Sequence, residues 1–383
     1  MKKIAPRILM SVSNDLYTDP RVDKMCNTLT DMGFDVCLIG CRLRHPTKLE
    51  PRRYQTKRLR LIFQKGPLFF AEFNIKLFFY LFFKRFDILV ANDLDTLLPN
   101  FLISRLRHKE IVYDSHEYYC YMENVLDRPR VRQVWHSIEK FCFPKLKRVI
   151  TVSPSIAKAY RKEYGVDVKV VRNIPPKATP PLTETRQSLN LPQDNMIVLM
   201  QGNHIAQNRG AEDLVEAMPH VDKNAVLLFV GNGPVLDQLK ERAAVLDISD
   251  RVIFRGRVSP ERLFNYTSLA DIGASFDRNV SPNHDFSLPN KIFEYIKAGT
   301  PVVISDLAER RAIVEEFQVG EIVSELTPEN VAATINRMIS DPEQLATYKA
   351  NCAIASQALN WENEEKVVKE IYGELLLLFS QRK

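Results

Sequence analysis

Residues 287–303 of the chain read SLPNKIFEYIKAGTPVV. The pattern predicts a loop that enters a helix carrying Lys291 and Glu294. The helix is expected to end at Gly299, and a buried strand to start at Pro301. Free N–H groups at a helix N-terminus bind phosphate, a lysine adds positive charge, and a glutamate one turn later can accept hydrogen bonds from two hydroxyls. The segment therefore predicts a site for a diphosphate joined to ribose, although an ordinary loop–helix–strand unit shows the same pattern.

Apolar runs of strand length alternate with amphipathic helical segments along most of the chain, which is typical of doubly wound parallel sheets. The predicted strands are 7–13, 34–40, 87–91, 110–113, 148–153 and 168–172 in the first half, and 196–201, 225–230, 252–255, 271–275, 301–305 and 320–323 in the second. We therefore expect an α/β fold with two Rossmann-like parallel-sheet domains that face each other across a cleft.

A proline-rich stretch that is poor in large apolar residues separates the two halves. It predicts a linker at 174–192 between an N-terminal domain, 1–173, and a C-terminal domain, 193–355. Residues 356–383 are expected to contain a C-terminal helix that packs back across the domains.

The net charge of +6 hides a division between the two halves. Residues 1–180 hold 33 Lys and Arg against 18 Asp and Glu, whereas residues 181–383 hold 20 against 29. This difference predicts that the N-terminal domain faces an anionic partner. Six scattered cysteines, seven histidines without ligand spacing and no export signal predict a cytoplasmic, metal-free protein.

Two glycine-containing loops follow predicted strands of the second half. The loop after the first of these strands contains Gly202, Asn203 and Arg209, and the arginine could grip a phosphate with two hydrogen bonds. The next strand is followed by Gly231, Asn232 and Gly233, a tight turn that could touch a base or a sugar. Both loops are also compatible with ordinary strand–helix turns.

Polar residues also follow strands in the first half. His116 lies just past a strand end, where it could donate to a sugar hydroxyl or shuttle a proton, or be satisfied by a loop carbonyl. Asp93 and Asp95 resemble an aspartate pair that holds a divalent cation in one class of sugar transferases. Because a helix is predicted directly after them, capping that helix is the role we expect.

Together these segments resemble the retaining glycosyltransferases of family 4, which have the two-domain GT-B fold. The resemblance covers nearly the whole chain and rests on residues 19–22, 113–117, 151–153, 171–173 and the motifs from Gly202 to Val303.

The resemblance implies that Glu294 holds the donor ribose, that Arg209 and Lys291 neutralise the diphosphate, and that His116 contacts the transferred sugar. It implies a retaining reaction with a nucleotide-sugar as co-substrate and with neither metal nor cofactor. The full set of implied site residues comprises His116, Glu117 and Asp285 for catalysis, and Gly202, Asn203, Arg209, Gly231, Asn232, Gly233, Ser287, Leu288, Asn290, Lys291 and Glu294 for donor binding.

One position departs from the family pattern, which places an acidic residue eight positions before the ribose-binding glutamate. Phe286 occupies that position here, and Asp285 lies nine positions before Glu294. Either Asp285 serves after a shift of one residue, or backbone groups around Ser287 take the role.

A basic segment followed by an aromatic helix predicts contact with a membrane. Residues 42–65 hold nine Lys and Arg against one acid, and the helix within 68–85 carries a polar stripe of Glu72, Lys76, Tyr80 and Lys84. Such a helix suits an anionic membrane interface, on the inner face of the cytoplasmic membrane, although a packed helix beside a solvated charge run is the alternative. No nucleic-acid-binding module accompanies the basic segment, so nucleic acid is not expected as a partner.

We therefore expect a peripheral glycosyltransferase that moves a sugar from a nucleotide-sugar to a glycan or lipid-linked acceptor for cell-surface polysaccharide or glycolipid. A nucleotide-sugar 2-epimerase on the same fold is one alternative, but it requires carboxylates in a constellation that the sequence does not display. A non-catalytic scaffold of a polysaccharide assembly complex is another, and a complete diphosphate grip argues against it.

Overall fold

The structure, a computed structural model, describes residues 5–17, 19–44 and 48–381. Residues 45–47 of the basic segment and 382–383 of the C-terminal segment lie outside the described residues. The chain divides into two compact units, one of Met1–Asn173 with Glu364–Lys383 and one of Ile174–Asn363.

The N-terminal unit contains a seven-stranded parallel sheet with the order β3-β2-β1-β4-β5-β6-β7. Its central strands are buried on both faces, because helices cover the two sides of the sheet. The strands are β1 (Arg7–Ser11), β2 (Asp35–Arg42), β3 (Gln55–Arg60), β4 (Ile88–Asn92), β5 (Glu110–Ser115), β6 (Val149–Thr151) and β7 (Val168–Val170).

The helices of this unit begin with typical sequence signals. Asp19 caps α1 through a hydrogen bond from Val22 N, and Pro20 occupies the first helical position. Ser153 caps α6 in the same way before Pro154. The helices are α1 (Pro20–Asp31), α2 (Gly66–Phe83), α3 (Leu94–Leu106), α4 (Glu123–Leu126), α5 (Pro129–Cys142) and α6 (Pro154–Tyr164).

The C-terminal unit contains a six-stranded parallel sheet with the order β10-β9-β8-β11-β12-β13. Apolar clusters lie on both of its faces. The strands are β8 (Met196–Gly202), β9 (Ala225–Gly231), β10 (Val252–Arg255), β11 (Ile272–Ser275), β12 (Val302–Ser305) and β13 (Gly320–Val323).

The remaining helices complete this unit, and the boundary between the units falls inside the last of them. They are α7 (Ala211–Ala217), α8 (Leu236–Val245), α9 (Pro260–Leu269), α10 (Pro282–Phe286), α11 (Asn290–Lys297), α12 (Ala308–Phe317), α13 (Pro328–Ser340), α14 (Pro342–Ala358) and α15 (Trp361–Gln381). Short 3-10 helices occur at Tyr119–Tyr121, Phe143–Lys145, Met218–His220 and Ser249–Arg251.

All twelve predicted strands are present, with ends that differ by a few residues. The sequence analysis missed β3, whose residues QTKRLR are mostly polar and exposed because the strand lies at the sheet edge. The predicted linker at 174–192 is grouped with the C-terminal unit, where Ile174, Leu189 and Leu191 are buried in the core.

Two residues of the polar stripe predicted on α2, Glu72 and Lys76, contact the chain around the end of β3. Glu72 accepts hydrogen bonds from the backbone N–H groups of Ile62 and Phe63, and Lys76 donates to Arg60 O and to Glu72. The chain that follows β3 therefore lies against the part of the stripe formed by Glu72 and Lys76. The exposed face of α2 is apolar instead, at Leu68, Ile75, Phe79, Phe82 and Phe83.

Within the described ranges, α2 is also the one helix that is long and apolar enough to cross a membrane, judged by length and composition. Four of its residues, Phe69, Phe73, Leu77 and Leu81, are buried in the unit. A core helix of a soluble protein passes the same test, so this property alone decides nothing.

Candidate functional site

One candidate site lies in the C-terminal unit, where Asp277 follows β11. Arg209 Nη1 lies 2.9 Å from Asp277 Oδ1, and Arg310 Nη2 lies 3.0 Å from Asp277 Oδ2. Asp277 and Arg310 are buried, whereas the Arg209 side chain is 42% exposed. Because β8, β11 and β12 are parallel neighbours, the loops after them meet at one edge of the sheet and bring these groups together.

Lys291 lies in the first turn of α11 and belongs to the same group of charges. Burial lowers the pKa of the Lys291 ammonium, Asp277 opposes this effect, and Arg310 and Arg209 lower the pKa further. No ion pair within 4 Å involves Lys291 among the residues that the structure describes. The lysine is therefore available to an anionic ligand.

The carboxyl of Asp277 is ionised in this environment. Burial alone raises its pKa, but the neighbouring Arg310, Lys291 and Arg209 more than offset burial and hold the pKa below its usual range. Three cations thus surround one carboxylate. The group has a surplus of positive charge that suits a diphosphate.

Arg310 is further fixed by hydroxyl groups of two neighbouring loops. Its Nη1 donates to Ser305 Oγ at 3.1 Å, its Nη2 approaches Ser287 Oγ at 3.4 Å, and Ser305 Oγ donates to the carbonyl of Asp277. The sequence analysis missed Arg310 and Asp277. Their positions just after β12 and β11 were the available signal, since loops at strand ends carry ligand sites in open α/β folds.

Helix α11 carries Glu294, the residue that is predicted to bind the donor ribose. Glu294 lies one turn after Lys291 and accepts a hydrogen bond from Gln201 Nε2 at 2.5 Å. Gln201 Oε1 in turn accepts from Thr267 Oγ1 at 2.7 Å, so the amide is held in one orientation. Gln201, the second-last residue of β8, is another residue that sequence reasoning missed.

The N-terminus of α11 has the form that the sequence predicts. The helix starts at Asn290, after Pro289, and no side chain caps its first N–H groups. Leu288 and Asn290 flank this turn, and Ser287 Oγ donates to His284 O. The uncapped amides and Lys291 therefore offer hydrogen-bond donors side by side.

The predicted glycine loops contact each other closely. A Cβ at Gly231, whose φ is +136°, would lie 1.9 Å from Gly202 O, and a Cβ at Gly233 would lie 1.9 Å from Ile205 O. Backbone hydrogen bonds join the loops, from Ile205 N to Asn232 O and from Asn232 N to Gly202 O. These glycines are thus required by loop-to-loop packing, a reason that the sequence did not reveal. Asn203 and Asn232 are exposed beside them.

Asp285, the substitute proposed for the missing family acid, is half-buried at the end of α10. Its Oδ1 accepts a hydrogen bond from Ala308 N, the first residue of α12, at 3.2 Å. Phe286, at the family position, is also half-buried. This contact gives Asp285 a capping role on α12, and its catalytic role stays a prediction.

A separate candidate site lies in the N-terminal unit and is centred on His116, directly after β5. Its Nε2 lies 3.3 Å from Asp114 Oδ2, and its Nδ1 lies 3.6 Å from Asp93 Oδ2. The backbone N–H of His116 donates to Asp93 Oδ1 at 2.8 Å. The predicted position past the strand is confirmed, but carboxylates rather than a loop carbonyl face both ring nitrogens.

These carboxylates set the charge of the ring. Burial by itself lowers the pKa of His116, but Asp93 and Asp114 outweigh burial and raise it to about 9. His116 is therefore an imidazolium at neutral pH and a donor rather than a base. Asp114 also pairs with Arg21, whose Nη2 lies 2.6 Å from Asp114 Oδ1. The pKa of Asp114 is consequently below its usual range, despite the opposing effect of burial.

Asp93 and Asp95 were expected to cap a helix. That expectation was wrong, because their side chains accept hydrogen bonds from other groups. Asp93 occupies the N-cap position of α3, but its side chain caps no helix N–H and binds the His116 backbone instead. Asp95 accepts from Ser13 Oγ at 2.6 Å. Burial raises the pKa of each aspartate to about 6.

Glu117, the other predicted catalytic residue, is half-buried, and its backbone carbonyl accepts a hydrogen bond from Ser115 Oγ.

One further group of possible ligands lies in the same unit. His136, Glu139 and Glu163 bring ligand atoms within 4.8 Å of one another, a grouping that the sequence did not reveal. His136 Nε2 lies 3.2 Å from Glu163 Oε1, and Tyr164 donates to Glu139. Burial raises the pKa of Glu139 to about 7. These contacts account for the grouping as a hydrogen-bonded network.

The fold class of the chain follows from its similarity to solved structures. A sucrose-phosphate synthase of Thermosynechococcus elongatus superimposes with a TM-score of 0.79 at 21% identity, over 97% of this chain and all of that chain. Anabaena HepE in complex with UDP-glucose superimposes with a TM-score of 0.74 at 18% identity, over 96% and 99%. The chain is an α/β protein of the GT-B fold, with two Rossmann-like units.

Two family models match consecutive parts of the chain. "Glycosyltransferase Family 4" matches residues 21–176, and "Glycosyl transferases group 1" matches residues 182–353. The chain belongs to glycosyltransferase family 4.

The curated relatives are identical to the chain at about a quarter of the aligned positions. A D-inositol 3-phosphate glycosyltransferase of Xylanimonas cellulosilytica is 24% identical over 251 residues, which are 60% of this chain and 58% of the relative. The lipopolysaccharide core biosynthesis glycosyltransferase LpsD of Rhizobium meliloti is 27% identical over 235 residues, which are 61% of this chain and 64% of the relative. The chain thus spans somewhat more than half the length of these relatives.

Proposed function

We propose that the protein is a retaining glycosyltransferase that moves a sugar from a nucleotide-sugar donor to a glycan or lipid-linked acceptor of cell-surface polysaccharide or glycolipid. The observation that carries the proposal is the group of Arg209, Lys291 and Arg310 around Asp277. Glu294 follows Lys291 by one helical turn on α11. The family membership and the sugar-transferring relatives agree with it.

The cations would stabilise the leaving group. When the bond between the sugar anomeric carbon and the diphosphate oxygen breaks, negative charge develops on that oxygen. Lys291, Arg209 and the uncapped amides of α11 would donate hydrogen bonds to it. This set supplies the charge stabilisation that a divalent metal would otherwise give, so we propose a metal-independent reaction.

Glu294 would hold the donor ribose through hydrogen bonds from two hydroxyls. Gln201 fixes the carboxylate from one side, which leaves less side-chain entropy to lose on binding. We assign the exposed residues Asn203 and Asn232 to the same donor site.

Retention of configuration follows if the acceptor hydroxyl attacks from the face that the diphosphate leaves. The new bond joins the acceptor oxygen to the anomeric carbon, and the hydroxyl proton passes to the departing phosphate oxygen. His116, as an imidazolium, would donate to the transferred sugar, and Glu117 and Asp285 are candidates for contacts with its hydroxyls.

A thermal-shift series with UDP, GDP and ADP in the presence of EDTA tests the donor site. A ligand that binds the folded state raises Tm by mass action. We expect one nucleotide to raise Tm, and Glu294→Ala and Lys291→Ala each to abolish the shift. Lys297→Ala, on the same helix but bonded to Ala178 O, is the matched control and should keep it. No shift with any nucleotide would favour the scaffold alternative.

A nucleotide-sugar 2-epimerase is the second candidate, because such an enzyme needs several carboxylates together, and Asp93, Asp95 and Asp114 lie near one another around His116. An epimerase acts on the nucleotide-sugar without an acceptor. Incubation with UDP-N-acetylglucosamine alone, followed by NMR of the sugar protons, distinguishes the two: a 2-epimer would overturn the transferase proposal.

We further propose that the protein works on the cytoplasmic side of an anionic membrane. The exposed apolar face of α2 and the basic residues before it support this placement.

A further inference from the structure

An open apolar groove runs between α2, α3 and α5 of the N-terminal unit. Its volume is about 320 Å³, and its walls include Phe70, Ala71, Leu98, Trp135 and Ile138. The rings of Phe70 and Trp135 meet edge to face with centroids 5.4 Å apart and form one wall. Because one water molecule takes up about 30 Å³ in the liquid, the groove has room for a chain of about ten groups of that size.

The groove is almost free of polar side chains. Asn74 and Arg128 are the polar side chains in its lining. Asn74 Nδ2 donates to Phe70 O and Asp95 O, so its amide is already satisfied by the backbone. The interior therefore presents hydrocarbon to whatever enters.

A second hollow of about 200 Å³ extends the groove along α2. The two hollows share Asn74 and Leu98, and the second is also lined by Ile75, Phe79 and Leu102. These last three side chains are exposed, and Ile75 and Phe79 belong to the apolar face of α2 that is proposed to meet the membrane. The apolar track thus runs from the proposed membrane face into the unit.

The other end of the groove carries positive charge. Arg128 occupies the N-cap position of α5, and no side chain caps that helix. Arg128 and Arg130 are exposed, and neither forms an ion pair with any of the described residues. Free helix amides together with unpaired guanidinium groups favour an anion.

The groove also adjoins the His116 region. The rings of Trp135 and Tyr119 lie 5.3 Å apart, and Tyr119 Oη lies 3.5 Å from Asp95 Oδ2. A single layer of aromatic side chains therefore separates the apolar groove from the polar cluster around His116.

We propose that this groove binds the hydrocarbon chain of a lipid-phosphate acceptor, with the phosphate at the N-terminus of α5 beside Arg128. The inference rests on the proposed function and specifies its acceptor as lipid-linked. A linear anionic amphiphile matches a narrow apolar track that ends in unpaired positive charge. A second copy of this chain would instead need a broad complementary surface of about 800 Å² on each partner.

Dodecyl phosphate below its micelle concentration is the probe, because a monomeric amphiphile separates groove binding from adsorption to a bilayer. Trp135 lies in the groove, and the chain has one other tryptophan, Trp361. In a Trp361→Phe background, the fluorescence of Trp135 reports occupancy. We expect saturable binding with a change in Trp135 emission.

Two variants locate the binding. Ala71→Phe fills the groove from an exposed helix position and should weaken dodecyl phosphate binding about tenfold or more. Leu106→Phe, at an exposed position of α3 outside the groove, is the matched control and should bind normally. Arg128→Ala should reduce the preference for dodecyl phosphate over dodecanol by about tenfold. Circular dichroism checks that each variant is folded.

Unchanged binding in Ala71→Phe, or binding that leaves Trp135 emission unaltered, would overturn the inference. So would a dimer in sedimentation velocity that Ala71→Phe dissociates, because the occupant would then be a second copy. Nucleotide thermal shifts in the same variants test the proposed function separately. Nucleotide binding without probe binding refutes the groove alone, and probe binding without nucleotide binding refutes the donor site alone.

Discussion

Asp277 and Arg310 form a buried ion pair with 3.0 Å between Oδ2 and Nη2, and Asp277 Oδ1 lies 2.9 Å from the more exposed Arg209. The Asp277 carboxylate thus forms ion pairs with two guanidinium groups and also interacts electrostatically with the ammonium of Lys291. Because breaking a buried pair leaves a charge without a partner, this relationship links the stability of the unit to the charge of its ligand site.

We expect Asp277→Asn to lower the free energy of unfolding by about 3–5 kcal/mol, since Arg310 would remain buried without a counter-charge. Urea denaturation measures the change. Asp237→Asn, which removes an exposed partner of Lys240, is the control and should cost at most about 1 kcal/mol. Equal stability of Asp277→Asn and the unchanged protein would contradict the buried pair.

The same variant also tests whether a diphosphate binds beside residue 277. If diphosphate neutralises the cations around residue 277, a nucleoside diphosphate should stabilise Asp277→Asn more than it stabilises the unchanged protein. Thermal shifts at several nucleotide concentrations measure this difference. A smaller shift in the variant would place the diphosphate elsewhere.

Gln201 is a positioning residue for Glu294, through the 2.5 Å hydrogen bond from Nε2 to Oε2. Gln201→Ala should weaken nucleoside diphosphate binding by about tenfold, which corresponds to about 1.4 kcal/mol. Calorimetric titration measures the affinity. In a Glu294→Ala background the same substitution should have no further effect, because the carboxylate that it orients is gone. Additive losses would show that Gln201 acts independently of Glu294.

The placement of Lys291 and Glu294 could be predicted because it depends on local sequence. The helix has clear helical periodicity, and the strands of the C-terminal sheet are continuous apolar runs, as expected for strands buried on both faces. Strand β3 gave no such signal, since an edge strand of residues QTKRLR can stay polar.

The contacts between side chains could not be predicted, because they depend on which loops meet at the sheet edge. Asp277 and Arg310 are 33 positions apart in sequence, and neither lies in a recognisable motif. His116 was placed correctly after its strand, but Asp93 reaches it from the neighbouring strand β4. The turn that contains Gly231 was expected to touch a base or a sugar, whereas the structure shows that a Cβ at Gly231 would meet the carbonyl of Gly202.

His116 should make stability depend on pH above neutrality. Its folded-state pKa, about 9, lies above the usual value of about 6.5, so its contribution is complete below about pH 6.5 and is lost as the pH rises through about 9. We expect the unfolding free energy of the unchanged protein to fall over this interval relative to that of His116→Asn. Denaturation at several pH values measures the difference, with exposed His204→Asn as the control. A constant difference would mean that the imidazolium is not stabilised by Asp93 and Asp114.

The exposed end of α2 should determine membrane binding. Phe79 and Phe83 are 55% and 76% exposed, and inserting both into the interface would contribute about 3 kcal/mol or more, roughly a hundredfold in partitioning. We expect the unchanged protein to float with vesicles rich in anionic phospholipid, and Phe79→Ser with Phe83→Ser to remain in the soluble fraction. Val245→Ser, at a 74% exposed position of the C-terminal unit, is the control and should still float. High salt should weaken binding by screening the basic residues near α2. If the unchanged protein fails to float at low salt, the proposed membrane placement is wrong, while the nucleotide site remains open to its own tests.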